Sequence, residues 1–259
     1  MCITAADNLD RDMGKPFMLP PLTHTGVYEP ESLRKTIAEA KRRFEEKGQV
    51  FNIMLIPASL LEVISAAMPC EHIVIDDRAN YDYLYDKQEL IDLRGRAFHA
   101  KKNHLNFFLA NYEYEFLQLR PSMADEAMVF IQAFNKRKNL EDPHERELLT
   151  FEERAMQETF NHLDTVGYLS GVIRIGGHIE ALSVGGHIGE DTISVHIEKA
   201  NIEYRGLYQA INNEFCKSMP PEIKYINREE DMGIPGLRKA KLSYNPIELI
   251  EKYTIRLLS

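Results

Sequence analysis

The chain has 259 residues, 44% of them hydrophobic and 27% charged, a composition typical of a folded protein with one large or two small domains. The formal net charge of −9 disfavours a broad nucleic-acid-binding surface and DNA as a partner, so any anionic partner must meet a local basic patch. The three cysteines lack a CxxC spacing, and neither a membrane span nor a signal peptide is recognisable, so we expect a cytoplasmic protein.

The first part of the chain mixes helical and strand patterns. Residues 1–16 are expected to form a flexible leader. In residues 29–48, apolar side chains recur at helical spacing before Gly48. The apolar positions are Leu33, Ile37, Ala40 and Phe44. Strands are predicted at 50–57 and 72–86, and a connecting helix is predicted to start near Gly95.

From residue 113 the pattern restarts and predicts the element order β-α-α-β-β-β-α-β-α-β. This order resembles that of a GNAT-type acyltransferase domain, with antiparallel strands first and a strand-helix-strand crossover later. The fold class is therefore α+β, with an incomplete N-terminal domain at 17–112 and a C-terminal domain at 113–259.

The stretch YINREEDMGIPGLRKAKLSYNP, residues 225–246, combines both signs of charge with turn residues. Pro235 and Gly236 fit a helix start, where unpaired backbone N–H groups attract anions. This segment predicts a pocket that binds an anion through its cations and an amine through its carboxylates. Its substrate-binding candidates are Arg228, Glu229, Arg238 and Tyr244, and its catalytic candidates are Asp231 and Lys241. The alternative is a surface cluster of salt bridges around a tight turn.

The densest basic stretch is RGRAFHAKKNH, residues 94–104. It suits RNA backbone phosphates or the phosphates of coenzyme A, and we include Lys101, Lys102 and Asn103 among the substrate-binding candidates. The alternative is a helix whose cations only offset the acidic remainder of the chain.

The segment EYRGLYQA, residues 203–210, lies where a GNAT-type enzyme holds the pyrophosphate of coenzyme A. Arg205 and Gly206 are therefore cofactor-binding candidates, although Tyr208 replaces the second expected glycine. At the end of the preceding strand, Glu198 is a candidate base and Lys199 a substrate-binding candidate. Both are equally compatible with exposed strand-end ions.

Three histidines recur nine residues apart, at His178, His187 and His196. Zinc-binding spacings are absent, so no metal site is predicted. The sequence also lacks a nucleophile elbow, a P-loop and a dinucleotide fingerprint.

The motifs LRGRAFHAKKNHLNFF and INREEDMGIPGLRKAKLSYNP resemble an uncharacterised bacterial family related to the C-terminal domain of phosphatidylglycerol lysyltransferases. The resemblance covers roughly residues 17–255. It implies two GNAT-like domains in tandem, and the chain ahead of PFMLPPL is shorter than in that family, so the first domain is expected to be shortened.

The resemblance further implies transfer of an aminoacyl group from aminoacyl-tRNA to an amine or hydroxyl of a small molecule or envelope precursor. Two alternatives stay open. One is an acyl-coenzyme A-dependent N-acyltransferase with the same fold, and the other is a non-catalytic module that binds RNA or a metabolite.

Overall fold

The computed structural model describes residues 1–5, 16–138 and 142–258, without the side chain of residue 144. Its strands are β1 (Thr4–Ala5), β2 (Phe17–Met18), β3 (Asn52–Pro57), β4 (His72–Asp76), β5 (Asp82–Asp86), β6 (Glu115–Leu117), β7 (Leu169–Ile175), β8 (His178–His187), β9 (Thr192–Ala200), β10 (Tyr225–Asn227), β11 (Glu248–Ile250) and β12 (Lys252–Leu257). Its α-helices are α1 (Pro30–Glu46), α2 (Ala58–Ala66), α3 (Lys87–Asp92), α4 (His99–Asn111), α5 (Ala124–Lys136), α6 (Pro143–Asn161), α7 (Leu163–Val166), α8 (Leu207–Ser218) and α9 (Pro235–Leu242).

Helix α1 follows from its local sequence. The Glu29 carboxylate accepts hydrogen bonds from the backbone N–H groups of Glu31 and Ser32 at 3.1 and 2.6 Å, and Pro30 occupies the first turn, where no N–H is needed. The predicted apolar face is confirmed, because the four residues named for it are the buried residues of this helix. They pack with strand residues such as Ile53 and Ile255 in one apolar core.

The chain divides into two compact units. The first consists of residues 1–82, 230–235 and 249–259. Its five-stranded sheet has the order β1-β2-β3-β12-β4, in which β12 pairs antiparallel with both of its neighbours. The C-terminal strand therefore lies inside the sheet built by the first part of the chain.

These units differ from the predicted domains 17–112 and 113–259. The expected final strand, residues 247–257, is divided into β11 and β12, and β12 joins the sheet of the first unit. Strand patterns report only that a segment is extended and half-buried, so they do not identify its pairing partner when that partner lies far away in sequence.

The second unit consists of residues 83–229 and 236–248. The seven-stranded sheet runs in the order β11-β5-β10-β9-β8-β7-β6, and β11 begins at the last residue of this unit. One apolar core joins strands β7 to β9 to α5 and α6, and includes Ile131, Phe160 and Val172. From β6 to β10 the elements follow the predicted order, with α8 between β9 and β10, except that the second predicted helix is divided into α6 and α7.

Replacing Ile255 with alanine tests whether the C-terminal strand stabilises the first unit. Ile255 is fully buried, so we expect a loss of about 3 kcal/mol in the free energy of unfolding measured with urea. Leu258→Ala, at a side chain 52% exposed, is the control and should cost less than about 0.5 kcal/mol. Equal effects of the two substitutions would contradict the placement of β12.

Candidate functional site

Strands β9 and β10 pair only along a short stretch. The parallel ladder joins Thr192, Ile193 and Ser194 to Tyr225, Ile226 and Asn227. Beyond this point β10 ends, whereas β9 continues to Ala200. The register with β8 shifts between Val184 and Gly185, which leaves one extra residue, His196, in β9 as a bulge. We call the residues gathered at this point the divergence site: Ser194, His196, Glu198, Arg228 and Glu229.

An ion pair connects β9 to the segment that follows β10. Arg228 Nη2 lies 2.5 Å from Glu198 Oε1, and the two side chains are only 13% and 10% exposed. Glu198 Oε2 accepts a second hydrogen bond, at 3.2 Å, from the Asn212 amide of α8. The Arg228 guanidinium also lies over the rings of Tyr85 and Tyr244, at 5.7 and 4.8 Å from their centroids.

Burial and the carboxylate act on Arg228 in opposite directions. Burial lowers the pKa of the guanidinium. Glu198 and the neighbouring tyrosines together raise it by a larger amount, so the net pKa lies above its ordinary value. Arg228 is therefore cationic at any physiological pH. Its Nη1 is buried and has no hydrogen-bond partner among the described residues.

The second pair of the site is formed by Glu229 and His196. Glu229 Oε1 lies 2.7 Å from His196 Nδ1 and accepts a hydrogen bond from the Ser194 hydroxyl at 3.2 Å. Burial raises the pKa of Glu229. Four effects together lower it by a larger amount: the hydrogen bond from His196, the charge of His196, the hydrogen bond from Ser194 and the charge of Lys241. The net pKa of Glu229 is therefore lowered. The carboxylate is thus ionised and orients the imidazole through its Nδ1.

Glu229 has a left-handed backbone conformation, with φ of 56°, which is costly for a residue with a side chain. Its N–H donates to Asn227 Oδ1 at 2.7 Å, and its carbonyl accepts from the Tyr83 N–H at 3.3 Å. Lys241 adds hydrogen bonds from its ammonium to the carbonyls of Arg228 and Glu229, at 2.6 and 3.1 Å. These contacts hold the turn and direct the Glu229 carboxylate towards β9.

Lys101 lies beside the aromatic residues of the site. Its ammonium is 4.2 Å from the centroid of the Tyr244 ring. Burial lowers the pKa of Lys101, and Arg228 lowers it further, against a smaller opposite effect of Glu198. Burial also raises the pKa of Tyr244, to about 12, so its hydroxyl stays neutral beside the two cations.

The other sequence-predicted residues lie in different surroundings. The Lys199 ammonium pairs with Glu152 of α6 at 2.9 Å and is directed towards that helix. Lys102 donates to the Asp92 carbonyl at 3.0 Å, and Asn103 is exposed on α4. Arg238 is partly buried on α9.

Two predicted catalytic residues have structural contacts. Asp231 belongs to the first unit, where its fully buried carboxylate lies 3.2 Å from Arg78 Nη1 and accepts from the Gly233 N–H at 2.8 Å. Lys241 is buried and directed at backbone carbonyls. These contacts give both side chains a structural role. Their predicted catalytic roles stay predictions.

The predicted phosphate-binding loop is packed against α4. Gly206 has a φ of 90°, and a Cβ at this position would overlap the His104 carbonyl oxygen and lie 3.0 Å from Phe108 Cβ. The Arg205 guanidinium lies over the Phe107 ring, 4.4 Å from its centroid. The close approach that Gly206 permits is therefore made by the backbone of α4, and the cofactor role of Arg205 and Gly206 stays a prediction.

The pairing of His196 with Glu229 does not follow from the sequence patterns, which group His196 with two other spaced histidines and assign Glu229 to an amine of the substrate. The available signal was the position of His196 two residues before Glu198 on the same strand. No group of three His, Cys, Asp or Glu side chains suited to a metal ion occurs within residues 1–5, 16–138 and 142–258.

A family model described as "Phosphatidylglycerol lysyltransferase, C-terminal" matches residues 11–256. An uncharacterized protein of Mycoplasmoides gallisepticum is 24% identical over 184 residues, which are 68% of this chain and 56% of that protein. The chain thus spans little more than half the length of this curated relative. In the described part of the chain, no helix combines the length and the apolar character required to cross a bilayer.

Solved structures share the fold. A conserved protein of unknown function from Bacteroides thetaiotaomicron is 30% identical, with a TM-score of 0.80 over 94% of this chain and 80% of that chain. L-PGS from Bacillus licheniformis is 13% identical, with a TM-score of 0.64 over 93% and 77%. A tandem GNAT protein from the clavulanic acid biosynthesis pathway is 12% identical, with a TM-score of 0.51 over 93% and 75%. The fold is therefore a GNAT-like mixture of helices and strands.

Replacing Gly206 with alanine tests the packing of the loop on α4. Steric overlap with His104 and the left-handed φ should together cost at least about 3 kcal/mol of unfolding free energy. Gly177→Ala is the matched control, because its φ is 85° and a Cβ would meet nothing within 4 Å, so only about 1 kcal/mol of strain is expected. Similar losses measured by urea unfolding would show that the loop does not pack as described.

The lowered pKa of Glu229 predicts a pH-dependent contribution to stability. Because the folded-state pKa lies below the ordinary value of 4.5, the contribution is present above pH 4.5 and is lost as pH falls through the folded-state pKa. Glu229→Gln should therefore lower the unfolding midpoint at pH 7, and its difference from the natural protein should shrink below pH 4.5. Glu222→Gln, at an exposed side chain, is the control. A difference that stays constant between pH 7 and pH 3 would contradict the pairing.

Proposed function

The chain belongs to the family described as phosphatidylglycerol lysyltransferase, C-terminal, as its two motifs predicted, and from this premise we propose that it transfers an aminoacyl group from aminoacyl-tRNA to an amine or hydroxyl acceptor. We place the reaction at the divergence site. The observation that carries the proposal is the contact of His196 Nδ1 with Glu229 Oε1 where β9 and β10 separate.

An aminoacyl ester is already activated, so the protein needs only to orient the acceptor and move a proton. In the proposed reaction the acceptor oxygen or nitrogen attacks the ester carbonyl carbon while His196 Nε2 takes its proton. The bond from this carbon to the ribose oxygen then breaks, and the imidazolium returns the proton to that oxygen. Glu229 holds the imidazole in place and stabilises its charged form.

The ion pair of Arg228 and Glu198 has a positioning role in this proposal. Both Glu198 oxygens are engaged, by Arg228 and Asn212, so Glu198 serves as the anchor of the site rather than as its base. Lys101 belongs to the substrate-binding side, because its ammonium contacts the Tyr244 ring and carries charge beside the ion pair.

The packing of Gly206 against α4 favours aminoacyl-tRNA over coenzyme A as the donor. We also propose that the two compact units are tandem GNAT-like domains, of which the first is shortened. The similarity to a tandem GNAT protein over 93% of this chain supports this view.

The test uses tRNAs charged with labelled amino acids, together with amines, hydroxyl compounds and cell-envelope precursors as acceptors. His196→Asn keeps a donor near Glu229 but lacks Nε2, so we expect the transfer rate to fall about 10²- to 10⁴-fold. His187→Asn, at an exposed residue at the end of β8, is the matched control and should transfer at the natural rate.

Each alternative has its own outcome in this assay. Transfer from acetyl-coenzyme A, with none from charged tRNA, would replace the proposal by an acyl-coenzyme A-dependent activity. Salt-sensitive tRNA binding with no turnover on any acceptor would indicate a non-catalytic module. Full activity of His196→Asn would disprove the assignment of the base.

A further inference from the structure

The start of α4 carries an unusual excess of positive charge. Residues 93–112 include four lysines and arginines and no aspartate or glutamate, in a chain with 40 acidic residues. The four cations are Arg94, Arg96, Lys101 and Lys102. A local positive field in a net-acidic protein indicates that an anionic partner binds at this place.

This basic segment forms a concave surface. A concavity of about 830 Å³ is lined by Leu93, Gly95, Arg96, Ala97, His99, Ala100 and Lys102. Gly95 has a φ of 85°, and a Cβ there would meet nothing within 4 Å, so backbone as well as side chains can approach a ligand. We call this surface the basic concavity.

The cations around it are available for contacts. The Arg94 side chain is 85% exposed, and its Nε lies 3.4 Å from Asp92 Oδ2, which is long for an ion pair. Arg96 and His99 are exposed as well. Helix α4 begins here without a side-chain cap and without an acidic residue in its first turn, so the local dipole adds to the positive field.

The same helix turn connects the basic concavity to the divergence site. Lys102 lines the concavity, whereas the neighbouring Lys101 reaches the Tyr244 ring, next to Arg228. A chain of phosphates bound in the concavity would therefore lead towards the ion pair of Arg228 and Glu198.

We infer that the basic concavity binds backbone phosphates of the tRNA close to its aminoacylated end. The inference rests on the proposed tRNA donor and locates its binding surface. RNA is favoured over an anionic membrane surface, because no large apolar side chain between residues 93 and 104 is exposed to add apolar burial to the electrostatic attraction of lipid head groups.

The experiment measures the fluorescence anisotropy of labelled, uncharged tRNA with the full chain over a range of salt concentrations. Arg94→Ala/Arg96→Ala should weaken binding about tenfold at low salt and reduce the slope of log K against log salt by about 1.5, since each phosphate contact contributes about 0.7 to 0.9. Lys217→Ala/Lys224→Ala removes the same charge at exposed lysines elsewhere in the second unit, at side chains 44% and 68% exposed, and should leave the slope unchanged.

Equal effects of the two double variants would overturn the docking surface. So would preferential binding to phosphatidylglycerol vesicles that depends on Arg94 and Arg96 in the absence of tRNA binding. The proposed function is judged separately. Transfer that persists with normal tRNA affinity in Arg94→Ala/Arg96→Ala would reject this surface alone, whereas tRNA bound here with no transfer would support the surface and reject the reaction.

Discussion

The buried ion pair between Arg228 and Glu198 is the interaction on which the divergence site depends. The backbone ladder between β9 and β10 ends at Asn227, and this pair connects the two segments beyond that point. Removing either charge would leave the other buried without compensation, at a cost of about 3–5 kcal/mol. The aromatic rings of Tyr85 and Tyr244 complete the surroundings of the guanidinium, so the pair is enclosed by side chains from separate parts of the second unit.

A second constraint acts on the turn after β10. Glu229 adopts a left-handed backbone conformation, which persists only where the surrounding contacts fix it. The ammonium of Lys241 supplies part of that restraint by binding two consecutive backbone carbonyls. As a result the Glu229 carboxylate, although partly exposed, is directed at His196. Strain of this kind is common where a side chain is held ready for chemistry, which agrees with the proposed role of Glu229.

Local patterns were sufficient to predict α1, the order of elements from β6 to β10, and the family. They were not sufficient to predict contacts between distant segments. The charge pattern of 225–246 predicts ligands for a substrate, whereas the structure directs Lys241 at backbone carbonyls and places Asp231 in contact with Arg78. A charge pattern does not encode the direction of a side chain, and that direction depends on partners far away in sequence. The same limit explains why the sheet membership of β12 was missed.

The most direct measurement is a crystal structure of the chain with a non-hydrolysable aminoacyl-adenosine analogue. The proposed reaction predicts that the carbonyl carbon of the analogue lies at the divergence site, within reach of an acceptor hydrogen-bonded to His196 Nε2. Density for the aminoacyl group at another place, such as the loop of Arg205 and Gly206, would contradict the claim that chemistry occurs where β9 and β10 separate.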